Sequence, residues 1–197
     1  MNDLAIRRNL RIKQLSNHFE NNESIVIEEL GLNHGKNRAD IAILHRSFIG
    51  YEIKSNNDTL RRLKKQIKSY DAVFDKVYIV AGSNHINLAQ RHLPSWWGII
   101  EVVTDTDNNM CFKTIRKALT NTKVDPVVVA KLLWRDEVVS ALKQRQISSS
   151  ILRKPREILY NHLADMLNIS EIKKLVIDSF RKRKNWRSPE PLFQHGG

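Results

Sequence analysis

Residues 38–54 constrain the fold more than any other part of this chain. Two apolar runs with strand composition lie on either side of the short polar break His45-Arg46-Ser47. Such a pattern is typical of a β-hairpin with a short loop. If the break is the loop, Leu44 pairs with Phe48, and every other cross-strand pair follows from that register.

The predicted register brings two acidic residues together. Asp40 lies directly opposite Glu52, and opposite side chains share a face with their Cβ atoms about 4.5–5.5 Å apart. Lys54, two positions beyond Glu52, points to the same face. Facing carboxylates repel, so sheets usually avoid such pairs. A divalent cation between them would turn this conflict into a site.

Two carboxylates at one end of a sheet are suitable ligands for Mg²⁺ or Mn²⁺, which prefer oxygen donors. We expect Asp40 and Glu52 to hold the cation and the main-chain carbonyl of Ile53 to add a further oxygen ligand. Such a cation could support the cleavage of a phosphodiester bond by water. Lys54 would then lie beside the attacking water and the phosphate oxygens, where it activates the water or stabilises developing charge. The alternative is an exposed, ion-paired strand without a site.

The net charge of the chain, +12, is concentrated in its C-terminal half. Residues 1–110 carry 15 Lys and Arg against 13 Asp and Glu, and residues 111–197 carry 18 against 8. The two halves therefore have charges of +2 and +10. An excess of this size attracts polyanions, so nucleic acid is the expected partner. The alternative is a basic protein that its charge keeps in solution.

Other compositional features exclude several classes of protein. A single cysteine, Cys111, rules out an intrachain disulfide and a cysteine-rich zinc module. The sequence has no apolar signal-peptide core, and no apolar run approaches the roughly 20 residues that a membrane span needs. We therefore expect a cytoplasmic protein without a membrane partner.

Hydrophobic periodicity predicts an α/β protein. Around the hairpin, helices are predicted over 3–20, 59–74 and 84–93, and strands over 24–30, 76–81 and 98–103. After a polar turn at 105–109, helices are predicted over 126–133, 135–146, 155–167 and 170–182. This order indicates an α/β core in residues 1–110. A basic helical region in residues 111–197 would follow as a nucleic-acid-binding module or a cap on the sheet.

Asp40, followed by Glu52-Ile53-Lys54 on the next strand, resembles the core motif of the PD-(D/E)XK nuclease superfamily, which includes restriction enzymes and Holliday-junction resolvases. The pattern departs from the family at Ala39, where proline is usual. Gln66 and Tyr70 resemble the Gln-x-x-x-Tyr motif of the RecB-like branch. A poorly characterised bacterial and phage group within the superfamily is similar over nearly the whole chain, at residues 38–42, 50–55, 96–98 and 132–137.

The resemblance implies a restriction-endonuclease-like mixed β-sheet flanked by helices, and metal-dependent hydrolysis of phosphodiester bonds. It implies that Asp40 and Glu52 bind Mg²⁺ or Mn²⁺ and that Lys54 assists the water. Gln66 and Tyr70, four apart on one helix face, would orient the lysine or the phosphate. DNA is the expected substrate. The alternatives are an RNA nuclease and a catalytically inactive nuclease-fold protein that binds nucleic acid.

Members of this superfamily often add an acidic residue from the first helix or the first strand. Glu20, Glu28 and Glu29 are the candidates. Glu28 and Glu29 point to opposite faces of a regular strand, so only one of them faces the hairpin cluster. We prefer Glu29 because Ile25 and Ile27 share its parity, and the choice stays open.

Two groups of basic side chains are candidates for contact with the nucleic-acid backbone. The first group (Arg61, Arg62 and Lys65) lies on the helix predicted after the hairpin, and the second (Arg181, Lys182, Arg183, Lys184 and Arg187) encloses Trp186 near the C-terminus. The alternatives are an ordinary solvated helix face and a frayed charged terminus. His34 and His45 are possible metal or phosphate ligands, although a solvated loop position is the preferred interpretation.

Overall fold

The computed structural model describes residues 2–59 and 63–183, which include one six-stranded β-sheet. Its strands are β1 (Ile25–Leu32), β2 (Asn37–Leu44), β3 (Phe48–Lys54), β4 (Lys76–Gly82), β5 (Gly98–Thr104) and β6 (Met110–Arg116). They lie in the sheet in chain order. Strands β1 to β3 are antiparallel, β3 to β5 are parallel, and β6 is antiparallel to β5. The sheet is therefore mixed, as predicted.

The hairpin predicted for residues 38–54 is confirmed. Leu44 pairs with Phe48, and the register continues outward to the pair of Ile41 with Tyr51. Asp40 and Glu52 are the next positions along the two strands. Because β3 also pairs with β4 through Lys54, the acidic end of the hairpin is built into the middle of the sheet.

Strand β6 is missing from the sequence-based prediction, which placed only helices beyond residue 110. Apolar and polar residues alternate only weakly along this strand. None of its residues is buried, because β6 is the edge strand beside β5. An edge strand buries little apolar surface, so its sequence carries no long apolar run. As a result, the sheet extends past the predicted domain boundary at residue 110.

Helices cover both faces of the sheet. Their bounds are α1 (Asp3–Lys13), α2 (Ser16–Glu20), α3 (Leu63–Asp71), α4 (Ser83–His92), α5 (Pro126–Ala130), α6 (Arg135–Lys143), α7 (Ser149–Leu152), α8 (Arg156–Met166) and α9 (Ile169–Lys182). The helix predicted over 3–20 is thus divided in two. Within the described ranges, every helix is too short or too polar to cross a bilayer.

The core has two layers, one on each face of the sheet. On one face, Ile6 and Leu10 of α1 pack against strand residues such as Ile41 and Ile53. On the other face, α3, α4 and the C-terminal helices share one apolar cluster with the strands, in which Leu159 and Val176 join Phe48 and Phe74. The C-terminal helices therefore bury their apolar faces in the same core as the sheet.

Candidate active site

The structure brings the predicted acidic residues, lysine and helix residues together at one end of β2 and β3. Asp40 comes from β2, Glu52 and Lys54 come from β3, and Gln66 and Tyr70 come from α3. The hairpin register places the strand residues side by side. The helical spacing of Gln66 and Tyr70 turns both side chains toward Glu52.

The carboxylate of Asp40 is fixed by the neighbouring strand. Its Oδ2 accepts a hydrogen bond of 2.6 Å from the main-chain N–H of Ile53. The main-chain N–H of Asp40 donates to the hydroxyl of Tyr70 at 3.3 Å. Asp40 is thus held by β3 through its carboxylate and by α3 through its main chain.

Glu52 is completely buried, with 0% of its surface exposed. Its Oε1 accepts a hydrogen bond of 2.5 Å from Nε2 of Gln66 and lies 2.6 Å from Nζ of Lys54. Its Oε2 accepts a hydrogen bond of 2.6 Å from the hydroxyl of Tyr70. A buried carboxylate is costly unless such donors surround it, so the two α3 side chains stabilise the charge of Glu52.

These residues open into a polar pocket of about 490 Å³. Lys54 is 9% exposed and Ser55, which follows it, is held by two hydrogen bonds of 2.7 Å to Asp58. The lining also includes Asp3, Glu29, Arg38, Ile53 and Lys65. The cluster is therefore accessible from solvent on one side, although its carboxylates are mostly covered.

Electrostatics in the cluster oppose full ionisation. Burial, followed by the negative charge of Glu52, raises the pKa of Asp40 from 3.8 to about 7. Burial, with the charges of Glu52 and Asp40, also raises the pKa of Tyr70 well above its ordinary value, so its hydroxyl stays protonated. A bound cation would relieve the repulsion between the two carboxylates.

Arg7 joins this cluster although the sequence did not single it out. Its Nη2 lies 2.8 Å from Oε1 of Glu29 and 3.4 Å from Oδ1 of Asp40, and it also contacts Asp3. Burial lowers the pKa of Arg7, but its bond to Glu29 and the charges of Asp40 and Asp3 raise it overall. The available signal was its position beside the buried Ile6 on an amphipathic helix.

Glu29 lines the pocket and Glu20 does not; Glu20 is exposed at the end of α2. Glu28 does not line the pocket; its carboxylate lies 3.0 Å from Nη1 of Arg11 and 4.0 Å from Nη1 of Arg7. Glu29, the preferred candidate, therefore lies at the pocket. The reason given for it, that Glu29 shares a strand face with Ile25 and Ile27, does not hold. Glu29 has a positive φ of 55°, which interrupts regular strand alternation.

The donor chemistry of the site suits a hard cation. Among the residues that the structure describes, no group of three or more His, Cys, Asp and Glu side chains is arranged for a metal. A cation would therefore rely on Asp40, Glu52, the carbonyl of Ile53 and water. Oε1 of Gln66 is buried and has no hydrogen-bond partner among the described residues. A bound cation or its water shell would satisfy such an acceptor.

The two histidines lie away from the cluster. Nε2 of His34 is 3.1 Å from Oε1 of Glu157, and Nε2 of His45 is 3.2 Å from Oε2 of Glu23. Both side chains therefore pair with glutamates in loop or helix-end positions.

The structure describes four of the eight predicted nucleic-acid contacts, namely Lys65, Arg181, Lys182 and Arg183. Arg61, Arg62, Lys184 and Arg187 lie outside the described residues. Lys65 lines the pocket, Lys182 is exposed on α9, and Arg181 donates to the carbonyl of Glu23.

Arg183 differs from the predicted surface position. Its side chain is only 3% exposed and makes bonds of 2.8 and 2.5 Å to the carboxylate of Glu137. This geometry stabilises the fold and leaves little of the guanidinium for a phosphate. The basic run suggested surface exposure because its sequence does not reveal that Glu137 lies opposite.

Comparison with known proteins places the chain in a phage protein family. It is 29% identical over 177 residues to Protein cII of Enterobacteria phage P4, an alignment that covers 88% of this chain and 65% of that protein. The chain thus spans just under two thirds of the length of this curated relative. The solved structure of SPO1766, a protein of unknown function from Silicibacter pomeroyi, matches 67% of this chain and 84% of that chain at 18% identity. The TM-score of this match is 0.39. A family profile described as bacteriophage P4 protein cII matches residues 5–192, and the chain therefore belongs to that family.

Proposed function

We propose that this protein is a metal-dependent nuclease that hydrolyses phosphodiester bonds, with DNA as the preferred substrate. The observation that carries the proposal is the convergence of Asp40, Glu52 and Lys54 in one pocket, with Gln66 and Tyr70 bonded to Glu52 from α3. The five residues are those of the PD-(D/E)XK and Gln-x-x-x-Tyr patterns. The mixed sheet with helices on both faces is compatible with a restriction-endonuclease-like core.

Asp40, Glu52 and the carbonyl of Ile53 would hold Mg²⁺ or Mn²⁺. When bound, the cation neutralises charge on the scissile phosphate and lowers the pKa of a bound water. The positions of the carboxylates favour this role because burial, followed by the negative charge of Glu52, raises the pKa of Asp40. Cation binding would weaken the repulsion between the two carboxylates and displace the proton.

Lys54 supplies a positive charge at the proposed site. Its ammonium group lies 2.6 Å from Oε1 of Glu52 and reaches the pocket, with 9% of the residue exposed. From this position it can donate hydrogen bonds to non-bridging phosphate oxygens, which gain charge during cleavage. Because Lys54 also neutralises Glu52, it competes with a cation for the same oxygen.

Gln66 and Tyr70 are positioning residues in this proposal. They donate hydrogen bonds to different oxygens of Glu52, so they fix the plane of the carboxylate. Tyr70 stays a donor at all physiological pH values because its pKa is raised. The fixed carboxylate of Glu52 keeps the proposed cation ligands and Lys54 at constant positions relative to each other.

A second function, nucleic-acid binding without catalysis, is favoured by one specific observation. Arg7 lies beside Glu29 and Asp40, and Lys54 lies beside Glu52, so two cations already offset part of the charge of three carboxylates. Such partial neutralisation would also stabilise a site that has lost its cation. This alternative predicts salt-sensitive binding without turnover and no metal affinity at Asp40 and Glu52.

The test compares wild type with Asp40→Ala and Lys54→Ala on single-stranded, duplex and branched DNA and on RNA, in Mg²⁺ or Mn²⁺. The proposal predicts cleavage by wild type alone and a preference for DNA. Calorimetric Mn²⁺ titration distinguishes the alternative, because an inactive protein would give no Asp40-dependent heat. Equal cleavage by all three proteins would remove the assignment.

A further inference from the structure

A second groove lies next to the candidate active site. It has a volume of about 510 Å³ and runs between the turn that joins β1 and β2 and the helices α6, α8 and α9. Glu29, Gly35 and Arg38 line both this groove and the active-site pocket. The two cavities are therefore neighbours that meet at the same turn.

The turn between the cavities is anchored on both sides. Nδ2 of Asn37 donates a hydrogen bond of 2.6 Å to Ser69 on α3. On the other side, His34 pairs with Glu157 and packs against the ring of Tyr160. Asn33, His34 and Gly35 all have positive φ, which folds the turn tightly. The turn thus forms a fixed ridge between the two cavities, and a bound polymer can pass over it from one cavity to the other.

Trp134 provides a rigid aromatic surface in the groove. It is 52% exposed, although the guanidinium of Arg183 packs on its ring at 4.3 Å from the centroid. Arg183 is in turn held by Glu137 and by the carbonyl of Leu132. A large aromatic side chain that is both supported and half exposed suits stacking with a planar ligand.

The lining of the groove is basic. Five arginine and lysine side chains line it, against one lining carboxylate, that of Glu29. Arg183 is already neutralised by Glu137, and Arg38 lies 3.7 Å from Glu29. Lys131 and Arg156 share a nearby glutamate, Glu157, at 3.1 and 3.8 Å. Arg156 is still about half exposed, as is Arg38. Exposed cations beside a supported aromatic ring match the backbone and the bases of a nucleic-acid strand.

We propose that this groove binds single-stranded nucleic acid that flanks the scissile phosphate, with a base stacked on Trp134 and phosphates beside Arg38 and Arg156. The position of this strand beside a scissile phosphate rests on the proposed nuclease function, whereas its binding in the groove does not. An unpaired strand fits because its bases expose their faces, which a duplex keeps stacked inside. The shared turn gives the strand a continuous path from the groove to Asp40 and Glu52.

Fluorescence anisotropy in EDTA tests the binding without cleavage, with short labelled single strands of DNA and RNA and a matching duplex. Trp134→Ala should weaken single-strand binding by about tenfold or more, and Trp134→Phe should stay within about threefold of wild type. Arg156→Gln should weaken binding and reduce the salt slope by about one. Lys143→Gln, an exposed residue of α6 outside the groove lining, is the matched control and should bind like wild type.

Two results would overturn the inference: unchanged single-strand affinity in folded Trp134→Ala and Arg156→Gln, or duplex binding that exceeds single-strand binding with no dependence on Trp134. A thermal melt shows that each variant is folded, and Trp134→Leu, which keeps an apolar side chain without a ring, replaces Trp134→Ala if that variant does not fold. Binding that depends on Trp134 without any cleavage in Mn²⁺ would support the groove and reject the nuclease. Cleavage by wild type, together with an affinity that does not depend on Trp134, would support the nuclease and reject the groove.

Discussion

The hydroxyl of Tyr70 donates a hydrogen bond of 2.6 Å to Oε2 of Glu52 inside the apolar layer between α3 and the sheet. Both residues are 0% exposed. The same hydroxyl accepts the N–H of Asp40. One side chain therefore connects the helix to both acidic strands, and its loss affects folding and the site together.

Tyr70→Phe should lower the free energy of unfolding by about 1–3 kcal/mol, since buried Glu52 loses a donor. It should also slow any cleavage, because Glu52 gains freedom to rotate. Urea denaturation and cleavage rates measure the two effects. Tyr78→Phe is the control, since Tyr78 stacks on Tyr51 outside the pocket. An unchanged midpoint in Tyr70→Phe would contradict the role of the hydroxyl.

Asp40→Asn should stabilise the metal-free protein at pH 8 relative to wild type. The pKa of Asp40 is about 7 when folded and near 3.8 when unfolded, so the folded state binds the extra proton between these values. Wild-type stability therefore falls as pH rises through this window, by about 2–4 kcal/mol in total. Asparagine avoids the charge and keeps an oxygen acceptor for the N–H of Ile53.

Urea denaturation in EDTA at pH 5 and pH 8 measures the difference in the free energy of unfolding between wild type and Asp40→Asn. The contributions of other titrating groups largely cancel in this difference. The advantage of Asp40→Asn should be larger at pH 8. Mn²⁺ should then stabilise wild type and not the variant. An advantage that is the same at both pH values would show that Asp40 is not strained by its charge.

Lys54→Met should separate metal binding from catalysis. Removal of the ammonium frees Oε1 of Glu52 from a competing cation, so Mn²⁺ affinity should be kept or increased. Cleavage should fall by about 10²-fold or more, because the phosphate loses a charged donor. Calorimetry and single-turnover rates give the two values. Lys68→Met, at an exposed position of α3 outside the pocket lining, is the control. Wild-type turnover in Lys54→Met would reject the proposed role of Lys54.

Glu29→Gln and Glu28→Gln form a matched pair on adjacent positions of β1. Glu29 lines the pocket and lies 2.8 Å from Arg7, whereas Glu28 pairs with Arg11 and lies 4.0 Å from Arg7. We expect Glu29→Gln to reduce Mn²⁺ affinity and cleavage more than Glu28→Gln, because Glu29 lines the pocket and Glu28 does not. Parallel titrations measure this, and the opposite order would assign the additional acid to Glu28.

Arg183→Gln should destabilise the fold by on the order of 3 kcal/mol, since it leaves the carboxylate of Glu137 without its buried partner. Lys182→Gln, at an exposed neighbouring position, should leave the melting temperature unchanged. Thermal denaturation compares the two variants. Equal and small changes in melting temperature would indicate that Arg183 is a surface residue, as the basic run in the sequence suggests.

Local patterns in the chain were sufficient to predict the hairpin and its acidic end. The strand register follows from two apolar runs and a short polar break, and it is confirmed out to Ile41 and Tyr51. The helical spacing of Gln66 and Tyr70 similarly placed both on one face, which contacts Glu52. These relationships depend on a few neighbouring residues, so periodicity alone specifies them.

Other features depend on contacts between distant segments and are invisible to such patterns. Strand β6 forms because β5 offers an unpaired edge, and Arg183 is buried because Glu137 lies across from it. Arg7 enters the site only when α1 packs on the sheet.

The sequence by itself therefore determined the fold class, the hairpin and the identity of the central acidic pair. Tertiary packing decided the surroundings of Asp40 and Glu52, namely Arg7, Glu29 with its positive φ, and the groove that ends at Trp134. The physical reason is that burial and charge compensation arise from the sum of all neighbours, and most of those neighbours are far apart along the chain.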